Sequence, residues 1–454
     1  TGRPKGVASV HHGWVNRMAW MQRRFALRAG ETVLHKTTLT FDDSCLEIFW
    51  PLAYGGRVAL IEPGRHRDPR AVLDAAIASQ AVHLQTVPSM LSLLLDTITP
   101  EDRKALALRA VVSSGEALLP GAVRRFEKLF PGRLHNTWGA TEVSIDSTIH
   151  TCSAADHDDT GAVSIGIPFD NNRVTVRDTA LHEVPPGVIG DLYISGTGLA
   201  RGYLNDPVKT AGAFVPDPDD PGARMYRTGD QGFRRPDGSL KFTGRNDHQV
   251  KIRGMRVELG EIEATLSRHP QVVEAVVTVQ AASAELKRLV AHVVPTGDGT
   301  LSPGAVRAYL TGKLPEHMVP SFVLLHEALP LNANGKVDRK RLPEPDRLRD
   351  YTEVEYVAPG RDTEIALAGM WQELLGIDRV GIRDSFFALG GHSLAVTRLN
   401  ARIQRRFGVG LPLQTIFDRP TIEAMAGELE RRLLEHVNEL SEDEVAALLE
   451  EMAK

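Results

Sequence analysis

The chain has 454 residues, enough for roughly two to four hydrophobic cores, and its 42% hydrophobic and 24% charged residues are ordinary for a globular protein. No apolar run approaches the roughly 18 residues of a membrane span, and no signal peptide opens the sequence. A formal net charge of -5 argues against general nucleic-acid binding. The two cysteines, Cys45 and Cys152, show neither metal-ligand spacing nor a disulfide framework, so we expect a cytoplasmic protein.

Residues 1–246 alternate short apolar runs with helical stretches. RVALIE at 57–62 is followed by VLDAAIASQ at 72–80 and by VHLQTV at 82–87. This alternation predicts an α/β fold with buried strands. The sequence opens on a loop-like string without the strand that normally positions such a loop. We therefore expect the N-terminal part of this large subdomain to be missing or to be supplied by another segment.

Residues 247–345 alternate in a similar way over a shorter length. The pattern predicts helices at 257–269 and 303–313 and strands at 274–279 and 289–294. We interpret this stretch as a smaller α+β subdomain.

The C-terminal part of the chain is helical. A polar stretch with three prolines, residues 342–360, predicts a linker, which we place at 346–360. Amphipathic helices joined by short loops predict a helical bundle over 361–437, with helices at 364–376, 393–408 and 421–437. One more amphipathic helix is predicted in the tail, 438–454, where a capping box precedes an apolar face. Such a helix could dock a downstream protein or pack on its own bundle.

The string DSFFALGGHSL at 384–394 places Ser393 at the start of the second bundle helix. Two glycines permit a sharp turn, and a serine at a helix N-terminus presents its hydroxyl outward. A short glycine–serine motif alone fits a simple helix cap. The whole string closely resembles the phosphopantetheine attachment site of carrier proteins. The resemblance implies a 4′-phosphopantetheine arm on Ser393, added by a phosphopantetheinyl transferase.

Four upstream strings resemble motifs of the amino-acid-adenylating domains of non-ribosomal peptide synthetases, within the wider adenylate-forming family. They are TGRPKG at 1–6, NTWGATE at 136–142, YRTGD at 226–230 and GRND at 244–247. The resemblance implies a truncated large adenylation subdomain, a small subdomain on a mobile hinge, and an all-α helical-bundle carrier domain.

The same resemblance implies an ATP site with magnesium. Glu142 would bind the metal through a carboxylate oxygen, the donor that Mg²⁺ prefers. Trp138 and Ala140 replace the usual tyrosine and proline; Trp138 can still stack on adenine, or it can be a core tryptophan beside a turn. The nucleotide-binding residues implied in this way are Thr1, Gly2, Lys5, Gly115, Asn136, Trp138, Thr141, Asp230 and Arg245.

The string LNANGKVDR at 331–339 matches the loop that carries the catalytic lysine of the family. Lys336 would stabilise the negative charge that builds on the α-phosphate during carboxylate attack. By resemblance Asp247 is the hinge. Rotation there would withdraw Lys336 and bring KIRG at 251–254 to the site for transfer to the carrier thiol.

The string FDDSCLE at 41–47 matches the segment in which amino-acid-activating members keep an aspartate for the substrate α-ammonium. Asp42 takes that position, which favours an α-amino acid over a fatty or aryl acid. By motif spacing, the side-chain pocket would be lined by Asp43, Leu46, Thr86, Val112, Ser114, Thr137, Ile145 and Asp146. Because buried acids need partners, Asp43 and Asp146 predict a polar substrate side chain, with cationic ones among the candidates. Alternatively, one of the two acids faces away, toward solvent or an arginine.

The sequence therefore predicts ATP-dependent activation of an amino acid and its transfer to the fused carrier domain. A ligase that uses free coenzyme A is the nearest enzymatic alternative, and the fused carrier argues against it. An alternative from another class is a non-catalytic carrier and docking module.

Overall fold

The structure is a computed structural model. It describes residues 5–157, 159, 161–246, 249–252, 255–283, 286–297, 301–331, 337–343, 356–387, 389–391 and 393–439. The chain forms two compact units, one extending to Glu258 and the other beginning at Leu259. We describe each unit by itself.

The first unit is built on a seven-stranded main sheet. Its strands are β1 (Thr32–His35), β2 (Arg57–Leu60), β3 (Ala81–Thr86), β4 (Ala110–Ser113), β5 (Arg133–Trp138), β6 (Thr148–Thr151) and β7 (Ile167–Pro168). The order is β2-β1-β3-β4-β5-β6-β7, parallel from β2 to β5 and antiparallel from there on. Parallel strands joined by helices confirm the predicted α/β class.

Seven helices accompany this unit in the described part of the chain. They are α1 (His11–Phe25), α2 (Asp43–Ala53), α3 (Pro69–Ala78), α4 (Pro88–Thr97), α5 (Pro100–Ala105), α6 (Pro120–Leu129) and α7 (Pro207–Ala213). The last five begin with proline, whose fixed φ and missing N–H suit the first helical position. The side chains of Asp68, Thr99 and Asp206 cap three of them.

A second, antiparallel sheet completes the first unit. Its strands are β8 (Asn172–Arg177), β9 (Gly190–Gly196), β10 (Phe214–Pro216), β11 (Arg224–Arg234) and β12 (Leu240–Arg245). The order is β10-β11-β9-β8, with β12 also pairing with β11. A two-stranded hairpin follows, formed by β13 (Gln249–Ile252) and β14 (Met255–Glu258). The helix predicted from residue 257 therefore begins later, at Leu259, because residues 257 and 258 pair with β13.

The second unit contains a three-stranded sheet and six helices in its described residues. The strands are β15 (Val272–Ser283), β16 (Leu286–Pro295) and β17 (Phe322–Leu325). The helices are α8 (Leu259–Leu266), α9 (Pro303–Thr311), α10 (Asp362–Leu375), α11 (Ser393–Phe407), α12 (Leu413–Asp418) and α13 (Ile422–Glu439). The predicted bundle gains one helix, α12, which is too short to show a helical period in the sequence.

The C-terminal bundle has a continuous apolar core. Phe386 of the attachment string is fully buried and meets Trp371 edge to face, with ring centroids 4.8 Å apart. Its neighbour Phe387 stacks on Phe417. Residues 356–360 of the predicted linker form neither helix nor strand, whereas the rest of the linker and residues 440–454 of the tail lie outside the described residues. No described helix has the length and apolar character needed to cross a membrane.

Candidate active site

Two parallel strands of the main sheet, β3 and β4, end level with each other, and β5 continues two residues further. Their register pairs Thr86 with Ser113 and Ser113 with Asn136. These residues and the ones that directly follow them form what we call the carboxyl edge. Ligands of open α/β sheets bind outside this edge. The predicted pocket residues Thr86, Val112, Ser114 and Thr137 lie along these strands and are buried.

The loop after β5 returns sharply to the same edge. A Cβ on Gly139 would lie 2.4 Å from the Cα of Asp146, so only glycine fits there. Ser144 and Ile145 have φ values of 63° and 80°, in the left-handed region. A β-branched residue in that region stores strain of about 1–3 kcal/mol, which is typical of functional sites. Strain and close packing together hold Asp146 in place.

Replacing Gly139 by alanine is expected to lower the free energy of unfolding by about 3 kcal/mol, because the new methyl group would displace the backbone of Asp146. Urea unfolding measures this change. Gly121→Ala is the matched control: it lies in α6, where an added methyl group would have no atom within 4 Å, so it should be neutral or stabilising. Equal unfolding midpoints for the two variants would contradict the proposed role of Gly139.

An acidic pocket lies beside the carboxyl edge; we use this name for Asp42, Asp43 and Asp146 with Arg17 and Gln85. The Gln85 amide donates to Asp43 Oδ1 at 2.8 Å and to Ser114 Oγ at 3.3 Å. Arg17, on α1, donates to Asp146 Oδ2 at 3.0 Å. Of the two acids predicted to line the side-chain pocket, Asp43 and Asp146, the second therefore has an arginine partner. The sequence left this open as an alternative.

Burial sets the ionisation of this pocket. It raises the pKa of Asp43 well above the usual value, and the neighbouring Asp146 and Asp42 add to the shift. Burial also raises the pKa of Asp42, which the hydroxyl of Thr141 partly offsets. Asp42 Oδ2 is buried and has no hydrogen-bond partner among the described residues. An orphaned carboxylate oxygen of this kind fits a cationic ligand.

A fixed carboxylate supports the start of α2. Glu47 accepts hydrogen bonds from the ring of His35, from the backbone N–H groups of Lys36 and Thr37, and from the hydroxyl of Thr37. These contacts hold the strand that precedes the acidic pocket against the helix that carries Asp43. No motif in the sequence indicates this role.

Three of the predicted nucleotide residues, Trp138, Asp230 and Arg245, contact one another in the first unit. The Trp138 indole donates to Asp230 Oδ2 at 2.9 Å, and Arg245 pairs with the other oxygen of Asp230. Glu142 is fully buried and accepts from the Tyr203 hydroxyl at 2.7 Å. Trp138 is buried in an apolar cluster with residues of the second sheet, which fits the interpretation as a core tryptophan, and its stacking on adenine stays a prediction.

Orphaned polar atoms mark where a ligand fits. Asn136 Oδ1 and Thr137 Oγ1 are buried without a hydrogen-bond partner in the part of the chain that the structure describes. The carboxylate of Glu142 is the oxygen donor that Mg²⁺ takes, so the residues present fit a magnesium–nucleotide ligand. Lys5 donates to Glu258 at 3.0 Å.

Several predicted residues remain to be placed. Gly115 directly follows Ser114 and has a φ of 85°. Leu46 is buried on α2, while Thr141 is exposed. Thr1, Gly2, Asp247 and Lys336 lie outside the described residues.

The attachment string forms a tight turn before α11, which begins at Ser393. Gly390 has a φ of 90°, and a Cβ on Gly391 would lie 2.3 Å from the ring of Phe386. Asp384 Oδ2 accepts from the backbone N–H of Gly381 at 2.7 Å. The acidic residue, the phenylalanine and the glycines thus build the turn that leads to the serine.

A second group of possible metal ligands lies on and after β6, where His150 pairs with Asn136 of β5. Ligand atoms of His150, Cys152 and Asp156 lie within 4.8 Å of one another, although the sequence showed no ligand spacing around the cysteine. Asp156 already accepts from the ring of His150 and from the backbone N–H of Ser153. We assign these contacts to the turn at 153–156.

Comparison with known proteins identifies the domains. The family model described as AMP-binding enzyme matches residues 1–204, its C-terminal domain matches 261–336, and the phosphopantetheine attachment site matches 366–429. Tyrocidine synthase 3 of Brevibacillus parabrevis is 42% identical over 94% of the chain. Phosphinothricin tripeptide synthetase PhsB of Streptomyces viridochromogenes is 40% identical over 99%. The chain therefore combines the two domains of an AMP-binding enzyme with a phosphopantetheine attachment domain, and it is similar to parts of non-ribosomal peptide synthetases.

Solved structures of such proteins agree with this domain assignment. Holo-PA1221, a synthetase protein containing adenylation and carrier domains, has a TM-score of 0.76 and 29% identity, with 94% of this chain and 70% of that chain covered. The chain spans only 6% of tyrocidine synthase 3 and 39% of PhsB. Members of the adenylate-forming family use ATP and magnesium, and the attachment-site domain takes 4′-phosphopantetheine.

Proposed function

We propose that this chain activates an α-amino acid with ATP and transfers it to its own carrier domain. A substrate carboxylate oxygen attacks the α-phosphorus, and pyrophosphate leaves to give the aminoacyl adenylate. In the second step the aminoacyl group passes to a thiol and AMP leaves. The phosphopantetheine group supplies that thiol when it is attached to Ser393.

The observation that carries the proposal is the orphaned carboxylate of Asp42. Its buried Oδ2 has no hydrogen-bond partner among the described residues, and it lies beside the loop with Thr141 and Glu142. An ammonium group would satisfy that oxygen. Within this scheme Asp230 and Arg245 receive the ribose and phosphate, Glu142 the magnesium, and Lys336 the charge on the α-phosphate.

The experiment is amino-acid-dependent ATP–pyrophosphate exchange by the complete gene product. It is followed by mass spectrometry after treatment with a phosphopantetheinyl transferase, ATP and amino acids. Exchange followed by aminoacylation of the carrier is the expected result. A carrier that takes up the arm without any exchange supports the docking module instead. Acyl transfer to free coenzyme A in preference to the carrier supports the ligase alternative.

Asp42→Asn is expected to raise the KM for the amino acid about 100-fold, because the amide cannot pair with the α-ammonium. The KM for ATP should change little. Since burial raises the pKa of Asp42, the neutral amide should not weaken folding. Asp170→Asn, in an exposed pair with Arg23, is the control and should leave both constants unchanged. An unchanged KM for the amino acid in Asp42→Asn would exclude the ammonium role.

Two further partners belong to this proposal. A phosphopantetheinyl transferase is needed to modify Ser393, and a downstream synthetase protein is the proposed partner of residues 438–454. Both follow from the carrier domain, since carriers deliver their cargo to other domains.

A further inference from the structure

The acidic pocket contains a buried ion pair that none of the sequence motifs includes. Arg17 and Asp146 have side chains only 3% and 4% exposed, and their closest atoms are 3.0 Å apart. The Arg17 guanidinium lies over the Phe169 ring, 4.5 Å from its centroid, and 5.0 Å from that of Trp20. Two aromatic faces and one carboxylate therefore fix its position.

A buried pair of this kind removes Asp146 from the set of free acids. Breaking it would leave an uncompensated buried charge, so the carboxylate has a strong preference for Arg17 over a substrate. Arg17 Nε and Nη1 are buried without a hydrogen-bond partner among the described residues. Within that part of the chain, the pair is thus held by its charges, by the one hydrogen bond between its members and by stacking.

The remaining charges in the pocket do not balance. Glu47, the other nearby acid, is already bound by His35 and by the loop at Lys36 and Thr37. The buried Lys36 ammonium lies near Glu47 and Asp43, and Glu47 has the larger influence on it. With Asp146 paired to Arg17 and Glu47 offset by Lys36, two carboxylates are left, Asp42 and Asp43. The substrate α-ammonium neutralises one of them, which the proposed function assigns to Asp42.

A hydrogen bond from Gln85 holds the Asp43 carboxylate in the pocket. Gln85, which also bonds Ser114, donates to its Oδ1 and so fixes the carboxylate at the carboxyl edge. The predicted walls include the buried apolar side chains of Leu46, Val112 and Ile145. Apolar walls beside a carboxylate suit an aliphatic stem that ends in a cation.

We propose that Arg17 is a specificity-determining positioning residue: it engages Asp146, leaves Asp43 to meet the substrate side chain, and so selects an amino acid with a cationic side chain. This inference rests on the proposed amino-acid activation. It differs from the motif-based interpretation by giving Asp43 and Asp146 different roles.

The first measurement is pyrophosphate exchange by the complete gene product with pairs of similar size, such as ornithine and norvaline, lysine and norleucine, and arginine and citrulline. The cationic member of the preferred pair should have a kcat/KM about 100-fold higher, the worth of one charged hydrogen bond. Asp43→Asn should abolish the preference for the cationic amino acid by raising the KM for it. A wild-type preference for uncharged members would overturn the inference and leave the proposed function standing. If no amino acid supports pyrophosphate exchange, both the inference and the proposed function are overturned.

The role of Arg17 is tested by a double-mutant cycle. Arg17→Met should raise the KM for the cationic substrate at least about tenfold, because the unpaired Asp146 carboxylate would repel Asp43 and displace it from the position in which it meets the substrate. Adding Asp146→Asn should restore the KM to within about threefold, and Arg17→Lys should keep the selectivity. The matched control is the exposed pair that Arg23, on the same helix, forms with Asp170: Arg23→Met with Asp170→Asn should change nothing.

Two results would contradict the positioning role. One is a cationic preference that survives Asp43→Asn and is lost in Asp146→Asn. The other is a double variant as impaired as Arg17→Met although it is folded by circular dichroism. If Arg17→Met itself does not fold, Arg17→Lys and the double variant still decide the outcome, since neither leaves a buried charge unpaired.

Discussion

The variant Ser393→Ala is expected to take up no phosphopantetheine from a phosphopantetheinyl transferase, while amino-acid-dependent pyrophosphate exchange continues at the wild-type rate. The hydroxyl is the only group that the substitution removes, and the arm can be attached only through it. Helix α11 begins at this residue, and alanine is a good helix former. The bundle should therefore keep its fold. Intact-protein mass spectrometry measures the loss of the arm.

Ser302→Ala is a matched control for this experiment. Ser302 is a serine at the N-terminus of another helix in the same unit, and its side chain accepts from the backbone N–H of Ala305 at 3.2 Å. Its removal should cost about 1 kcal/mol of stability and leave labelling complete. If Ser393 were only a helix cap, its variant would behave in the same way. Full labelling of Ser393→Ala would therefore disprove the attachment site.

Parts of the fold with long periodic runs could be predicted from the sequence. Strand β3 lies within one residue of the predicted run at 82–87, and α10 within two residues of the predicted 364–376. Short elements escaped prediction, because four residues of β17 or six of α12 carry no usable period. Residues 257 and 258 were predicted to begin a helix, yet they pair with β13, because tertiary pairing overrides local propensity.

For the candidate site, the sequence predicted which residues take part but not which residues they pair with. Motifs assigned Asp42, Thr137 and Asp146 to one substrate pocket, and in the structure Asp42 and Asp146 are close enough to influence each other's ionisation. The choice of Arg17 as the partner of Asp146 could not be predicted, because the two residues are far apart in sequence and α1 carries no motif. One signal was available: Gly13, Arg17, Trp20 and Met21, the buried residues of α1, share the spacing of one helical face. An arginine on a buried face needs an acidic partner.

Lys336→Ala is expected to reduce pyrophosphate exchange by about 100- to 1,000-fold, since a positioned cation no longer stabilises the charge on the α-phosphate. Transfer of a supplied aminoacyl adenylate to the carrier should stay within about threefold of wild type, because no such charge develops in that step. Lys336 itself lies outside the described residues. The residues on either side of its loop are described.

Leu331 and Val337 form an antiparallel bridge across the base of that loop, and Asp338 N–H donates to the Pro330 carbonyl at 2.7 Å. Arg339, which follows the loop, forms an ion pair with Glu263 on α8, with the closest atoms 2.7 Å apart. Fixing the two ends of a short loop limits the volume that its central residues can reach. A cation presented in this way can be supplied to one reaction and withdrawn from the next by moving its subdomain.

Single-turnover measurements of the two half-reactions separate this role from a structural one. Lys313→Ala serves as the control, because Lys313 belongs to the same unit, is exposed and lies over the Tyr309 ring at 4.6 Å. It should leave both half-reactions unchanged. Equal losses in both steps for Lys336→Ala would mean that the residue supports the subdomain rather than the first transition state. Loss confined to adenylate formation would assign Lys336 to that step, and it would show that thiol transfer draws on other groups.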